Sequence, residues 1–232
     1  APAPPAAGAP SVRARSADMA PSAAATLASV SEAEFDAAAR TTWREAFQAL
    51  SQHPNAQVRT AAAQLSSPTQ REQAMQSLWS YARANPNDPQ REQIYLLCGA
   101  VGERNNDPLG QRALEIAANL EPQQQDVWRM LARSYQRTER PEEANAAAMV
   151  GQAVVEQQQG RSDVAERYLQ GALSNITAPD LRASVSTRLG EIAESRNDWA
   201  SATQRYQESY ELRERSVQAQ PNSPAAAGLA AN

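Results

Sequence analysis

Apolar residues recur every three or four positions through most of this chain, and no stretch of it alternates strictly between apolar and polar residues. The first stripe with this spacing consists of Phe35, Ala39, Trp43, Phe47 and Leu50. Residues three and four apart lie on one face of an α-helix, whereas a half-buried strand has a period of two. The pattern therefore predicts an all-α protein.

Short breaks rich in proline, asparagine and glycine divide the periodic stretches into separate helices. Ser31 and Glu34 have the spacing of a capping box and predict a helix that ends at the segment SQHPN. Ser67 followed by Pro68 predicts the start of another helix, with serine as the N-cap and proline in the first turn. A short helix is expected between the two, over residues 55–65, and further breaks follow at NNDP, EPQQ, ERP, QGRS, NITAP and RND. This succession predicts a repeated helix–turn–helix plan.

A period of about 34 residues relates these helix pairs to one another. In a unit beginning at Gln125, positions 4, 7, 8 and 11 are Trp128, Leu131, Ala132 and Tyr135. The unit 34 residues earlier has matching residues at Ile94, Leu97, Cys98, Val101, Gly110, Leu114, Ala117 and Pro122. A third unit, beginning at Ala183, matches at Leu189, Gly190, Ala193, Ala202, Tyr206 and Ser209. Small residues at fixed positions let paired helices approach closely, and large residues fill the space between neighbouring pairs.

These positions resemble the tetratricopeptide repeat, and the resemblance covers roughly residues 68–215. It implies a right-handed α-solenoid of three to four repeats over residues 67–220, because a single repeat cannot bury its apolar face alone. Residues 31–66 are then expected to form an N-terminal helical cap, whose aromatic residues pack on the first repeat.

The repeat frame is irregular in the middle of the chain. Ala165, Leu169 and Ala172 resemble second-helix positions of a repeat that starts near Ala146. That start overlaps the second helix of the repeat beginning at Gln125. Two explanations fit: one long helix serves both repeats, or the stack is irregular there.

The two ends of the chain lack apolar periodicity. Residues 1–30 are rich in proline and alanine and are expected to form a disordered linker, and residues 221–232 a disordered tail. The chain starts at Ala1 rather than methionine, which indicates a processed or trimmed form. The linker is typical of a tether that follows a removed signal peptide or an upstream membrane anchor, and equally of an ordinary disordered terminus.

The charge of the chain argues against nucleic acid as a partner. Its 232 residues carry a net charge of −4, with 22 arginines and no lysine. A nucleic-acid binder normally has a basic surplus, because neutralising phosphates supplies most of its non-specific affinity. Exclusive use of arginine is typical of a GC-rich genome, and a bacterial source is expected. No apolar run is long enough to span a bilayer.

Candidate chemistry is sparse. A single cysteine, Cys98, and a single histidine, His53, exclude a Cys/His zinc site. Cys98 occupies a small-residue position of its repeat and is expected to be a buried packing residue. His53 stands beside Pro54 in a predicted loop, without a partner to orient it. Because the motifs of nucleotide-binding loops, serine hydrolases and zinc proteases are also absent, we expect no enzyme activity, no cofactor and no metal.

The resemblance places the groove-facing positions of the Gln125 repeat at Asp126, Arg129, Arg133, Gln136 and Arg137. The three arginines are four residues apart and therefore share one helical face. Guanidinium groups bind carboxylates through two parallel hydrogen bonds, so the stripe predicts an acidic partner or a carboxylate terminus. The alternative is a solvated face that Asp126 and neighbouring helices partly neutralise.

The preceding repeat supplies fewer candidates for the groove. The same positions are occupied there by Glu92, Tyr95, Gly99, Gly102 and Glu103. Tyr95 is the candidate contact among them. The lysine and asparagine of the carboxylate-clamp subfamily, which binds chaperone tails, are missing, so that partner is disfavoured.

The resemblance implies a scaffold or adaptor that holds a protein or peptide in its concave groove. A role in assembly of a bacterial cell envelope is expected by analogy, with an extracytoplasmic or periplasmic location; a cytoplasmic location is the alternative. Two other functions stay open: the soluble regulatory portion of a longer membrane-anchored or multidomain protein, and an enzyme with a cryptic site.

Overall fold

The structure is a computed structural model, and it describes residues 32–105 and 107–219, without the side chains of residues 32–39, 217 and 219. The predictions for the linker, for Ser31 as a cap, for the packing of Phe35 and for the tail therefore lie outside the described residues.

Ten α-helices make up most of the described chain, and no strand occurs in it, which confirms the all-α prediction. In chain order they are α1 (Glu32–Ser51), α2 (Ala56–Gln64), α3 (Arg71–Ala84), α4 (Arg91–Asn105), α5 (Pro108–Leu120), α6 (Gln125–Arg137), α7 (Pro141–Gln158), α8 (Ser162–Leu173), α9 (Pro179–Ser195) and α10 (Trp199–Ala219). None of these helices is long and apolar enough to cross a membrane.

Side-chain caps explain where several helices begin. Asn55 accepts a hydrogen bond from the Gln57 N–H (2.8 Å) at the start of α2, and Asp107 accepts one from Leu109 (2.8 Å) at the start of α5. The predicted cap at Ser67 is wrong. Its hydroxyl lies 3.1 Å from that of Thr69 in a separate turn, and α3 begins later, after Gln70.

The helices pair into antiparallel hairpins that stack on one another. The tightest pairs are α4 with α5, α6 with α7, α7 with α8, and α9 with α10. Between α4 and α5 two glycines face each other so closely that a Cβ on Gly102 would overlap the Cα of Gly110. Gly110, the small residue at position 20 of its repeat, therefore lets the paired helices approach closely, as the repeat spacing predicts.

One long helix, α7, serves two hairpins, which answers the question that the sequence left open. Gly151 faces α6, where an added Cβ would lie 3.3 Å from the Cβ of Trp128. Met149 faces α8, where its methyl end occupies the space beside Gly171. Because opposite sides of α7 are covered, the two repeat frames overlap on a single helix.

Arg188 of α9 ties the last hairpin to the earlier ones. Its side chain is buried, and its guanidinium donates hydrogen bonds to the carbonyl of Pro122 (2.6 Å) and to Gln157 of α7. The same carbonyl accepts the indole N–H of Trp128 (2.9 Å). Burial lowers the pKa of Arg188 to about 10.

The N-terminal helix α1 lies against α4 and α6, which are the first helices of two consecutive repeats. Thr42, Ala46 and Leu50 form its buried face. Trp43 and Phe47 stack on each other at 5.3 Å between ring centroids and are half-buried. The segment therefore packs along the stack of first helices and not only on its end.

Candidate partner-binding groove

The seam between α4 and α6 brings the predicted arginine stripe against a buried carboxylate. Glu103, near the end of α4, lies 3.3 Å from Nε of Arg133 and 3.1 Å from Nη1 of Arg137. Arg137 also donates to the backbone carbonyl of Glu103 at 2.5 Å. The two ion pairs and the bond to the carbonyl hold Arg133 and Arg137 at a carboxylate that is only 2 % exposed.

The outer members of the stripe reach solvent. Arg129 lies 3.5 Å from Asp126 on the same helix, with 32 % and 42 % of the two side chains exposed. Arg137 is also 32 % exposed, and Gln136 lies beside it on the exposed side of α6. The structure thus gathers all five predicted positions of α6 at one surface, with Arg129 and Arg137 accessible to an acidic group.

A small polar cavity of about 90 Å³ opens beside the stripe. It is lined by polar and charged side chains, including Glu103, Asp107, Gln111, Ser134 and Arg137. Hydrogen-bond donors and acceptors are therefore available next to Arg137.

Tyr95 does not belong to this surface, which corrects the expectation from the repeat spacing. Its side chain is 0 % exposed and packs edge-on against Trp79 of α3, with 5.5 Å between ring centroids. The Arg91 guanidinium lies 5.5 Å from the same ring. Burial raises the pKa of Tyr95, so the phenol stays protonated inside the fold.

Gly99 and Gly102 also face inward and not toward the groove. A Cβ on Gly99 would lie 2.6 Å from Cδ2 of Leu114 in α5, and Gly102 faces Gly110 as described above. The reason is that α4 is covered on nearly every side, by α1, α3, α5 and α6. The segment IYLLCGAVG carried that signal, since a helix that is apolar all round is a buried one.

A second polar cluster was not predicted from the sequence. His53 is buried, not isolated in a loop, and its Nε2 lies 3.1 Å from Oδ2 of Asp88. The Tyr81 hydroxyl donates to the same carboxylate oxygen at 2.8 Å. The Asn55 N–H donates to Nδ1 of His53 at 3.0 Å, which assigns the ring proton to Nε2.

This cluster joins the loop between α1 and α2 to the loop between α3 and α4. Both ring nitrogens of His53 are engaged, and the ring packs edge-on against Tyr81. Burial would raise the pKa of Asp88, but hydrogen bonds from Tyr81, Gln90 and His53 hold it below its ordinary value. The arrangement holds the two loops together.

Cys98 is confirmed as a packing residue. Its thiol is buried in α4, and burial raises its pKa to about 12. The reactive thiolate is therefore suppressed at neutral pH. Within the described residues, no group of three or more His, Cys, Asp or Glu side chains is placed to bind a metal ion.

Residues 145–215 match the model of the tetratricopeptide repeat family. The matched segment begins in α7, close to the repeat start near Ala146 that the sequence indicated, and it ends in α10. A search of curated proteins and a search of solved structures found no match.

The fold is therefore an all-α, tetratricopeptide-like solenoid. Tetratricopeptide repeats are modules of protein–protein interaction, and their extended surfaces hold other chains. Such folds typically lack enzyme activity.

Proposed function

We propose that this chain is a scaffold or adaptor that holds an acidic protein segment in the groove formed by the first helices α4 and α6. The observation that carries the proposal is the seam in which Arg133 and Arg137 bond to the buried Glu103, while Arg129 and Arg137 keep a third of their side chains exposed. A tetratricopeptide fold supplies the class of function, and the stripe supplies the chemistry of the partner.

The three arginines have different roles in this proposal. Arg133 is held in place by Glu103 and is 18 % exposed, so it shapes the electrostatic field of the seam. Arg129 and Arg137 contact carboxylates of the partner, through the bidentate geometry that guanidinium groups favour. Asp126 and Gln136 contribute contacts at the rim, where charges act mainly on association rate and salt dependence.

The test compares two charge reversals, each at an arginine that has an acidic neighbour on its own helix. Arg129 has an acidic neighbour on its own helix, Asp126 at 3.5 Å, and Arg215 of α10 has one in Glu211 at 3.8 Å. We expect Arg129→Glu to reduce capture of the partner from a lysate of the source organism about fivefold, equivalent to about 1 kcal/mol. Arg215→Glu should leave capture unchanged.

Capture by the parent protein should also weaken as salt rises, because exposed ion pairs are screened beyond about 8–10 Å at physiological ionic strength. Arg133→Glu is a poor probe, since it would place a second carboxylate against the buried Glu103. Equal recovery of every partner by the parent and by Arg129→Glu would contradict the arginine stripe as the binding surface.

We propose further that the protein works in the bacterial cell envelope, tethered through its proline- and alanine-rich residues 1–30. The support is the composition of that segment and the resemblance to envelope-assembly tetratricopeptide proteins. Fractionation of the source organism, followed by detection with an antibody, tests the location. Recovery in the cytosolic fraction alone would contradict it.

A further inference from the structure

The groove proposed above already contains a helix of the chain itself. The resemblance assigns the groove to the first helices of the repeats, and α1 (Glu32–Ser51) packs on two of them, α4 and α6. An amphipathic helix that lies in such a groove is a common mode of peptide recognition, in which anchor residues three or four positions apart share one face of the helix.

The contacts of α1 follow that mode. Thr42, Ala46 and Leu50 stand four residues apart and are buried. Arg44 and Glu45, on the opposite side of the helix, are exposed. One face of α1 therefore holds the helix on α4 and α6, while the other remains in solvent.

By sequence α1 is acidic on balance, with four acidic residues against Arg40 and Arg44, whereas the stripe is basic. The first turns of the helix carry three acidic residues, Glu32, Glu34 and Asp36. The helix packs on α6, which carries the three arginines. In this respect α1 has the chemistry that the proposed function assigns to the partner.

The loop after α1 makes it a separate unit. Pro54 disfavours helical geometry at the residue before it, so α1 and α2 cannot continue as one helix. His53 holds this loop to Asp88, in the loop before α4. We expect this contact to hold α2 on α3 when α1 opens, so that opening is confined to α1.

We propose that α1 is a resident ligand of the groove and that the partner is an acidic amphipathic helix that takes its place. This inference rests on the proposed function and names the class of its partner. The docked helix lowers the apparent affinity of the groove for the partner. If α1 is docked in about 99 % of molecules, a competing helix binds about 100-fold more weakly than it would bind an open groove.

The probe for the test is a fluorescein-labelled peptide with the sequence of residues 32–51, measured by fluorescence anisotropy. The full chain is compared with its Ala46→Glu variant, because a charge at this buried position opposes docking of α1. We expect the variant to bind the peptide at least about tenfold more tightly than the parent does. A peptide that carries Ala46→Glu itself should not bind.

Two further comparisons separate this inference from the proposed function. In the first, a peptide with Glu32→Gln, Glu34→Gln and Asp36→Asn should bind the Ala46→Glu protein several-fold more weakly than the unaltered peptide does. In the second, the unaltered peptide should bind a protein with both Ala46→Glu and Arg129→Glu several-fold more weakly than it binds the Ala46→Glu protein. Equal binding in both comparisons would overturn the acidic partner of the proposed function while supporting displacement of a helix. Absence of peptide binding to the folded variant would overturn the displacement itself.

Hydrogen exchange of the unaltered chain provides a test that needs no variant. We expect the amides of α1 to exchange about tenfold faster or more than those of α4 and α6, because opening of α1 alone requires less free energy than global unfolding. Equal protection of α1, α4 and α6 would show that α1 is an integral helix of the core, and so would failure of the Ala46→Glu variant to fold. Either result would overturn the proposal.

Discussion

Trp128 is the largest fully buried side chain of the described residues, and several elements meet at it. Its Cβ lies beside Gly151 of α7, and its indole N–H donates to the carbonyl of Pro122 in the loop before α6. We expect Trp128→Ala to lower the free energy of unfolding by about 3–5 kcal/mol, the usual range for truncation of a buried aromatic side chain. Denaturant titration measures this difference.

Trp199 is the matched control, because 59 % of its side chain is exposed at the start of α10. Trp199→Ala should change the free energy of unfolding by less than about 0.5 kcal/mol. Coinciding denaturation midpoints of the parent and Trp128→Ala would show that the repeat beginning at Gln125 is drawn in the wrong frame.

Asp88 gives the fold a defined dependence on pH. Burial would raise its pKa, but bonds from Tyr81, Gln90 and His53 hold the pKa below the ordinary value of 3.8. A carboxyl whose pKa is lower in the folded state contributes stability above its unfolded pKa, and loses that contribution as pH falls through the folded value. The contribution of Asp88 is therefore present at neutral pH and absent in strong acid.

We expect Asp88→Asn to be less stable than the parent at about pH 7, with a difference that shrinks as pH falls below about 4. Urea titrations across this range measure the difference in free energy of unfolding. A difference that stays constant with pH would show that Asp88 acts through packing and not through its charge.

At the scale of elements, the hairpin of α4 and α5 depends on contact between two backbones. Alanine is a better helix former than glycine by about 1 kcal/mol, so Gly→Ala stabilises a helix where space allows. A Cβ on Gly102 would overlap the Cα of Gly110, and backbone cannot rotate away. We expect Gly102→Ala to destabilise the protein by about 1–3 kcal/mol, as overpacking does.

Gly171 of α8 is the comparison. A Cβ there would meet only the methyl end of Met149, a flexible side chain that can move aside. Gly171→Ala should therefore change the thermal midpoint much less than Gly102→Ala, or raise it. Equal destabilisation by the two variants would contradict the role of backbone contact in the α4–α5 hairpin.

At the scale of the whole molecule, the shared helix α7 couples hairpins that would otherwise stack as separate units. Met149 faces α8 while Gly151 faces Trp128 of α6, so loosening one side of α7 should also loosen the other. We expect Met149→Ala to cost about 1–3 kcal/mol and to increase hydrogen exchange in α6 and α8 together.

Hydrogen exchange followed by mass spectrometry, with α3 as the distant reference, measures this coupling. Increased exchange in α8 alone would show that the two hairpins open independently, as nearest-neighbour repeats do.

The sequence by itself determined most of the helices and the hairpins of the regular repeats, but it left open whether α7 serves two hairpins. The three-to-four-residue period identified helices, and the spacing of small and large residues around Trp128, Ala132 and Gly110 located the hairpins. It also placed Arg129, Arg133 and Arg137 on one face of α6. These features are local: they depend on helical geometry and on contacts within one repeat, which a periodic pattern records.

Only the tertiary structure decided what covers each face. The pattern marked an apolar stripe on α1 but not that α1 lies on α4 and α6. It did not show which helices enclose α4, or that Glu103 pairs with Arg133 and Arg137. It also missed the bond between His53 and Asp88, which are 35 residues apart. The physical reason is that the period of apolar positions shows which side of a helix avoids water. Which helix covers that side depends on contacts between residues that are distant in the chain.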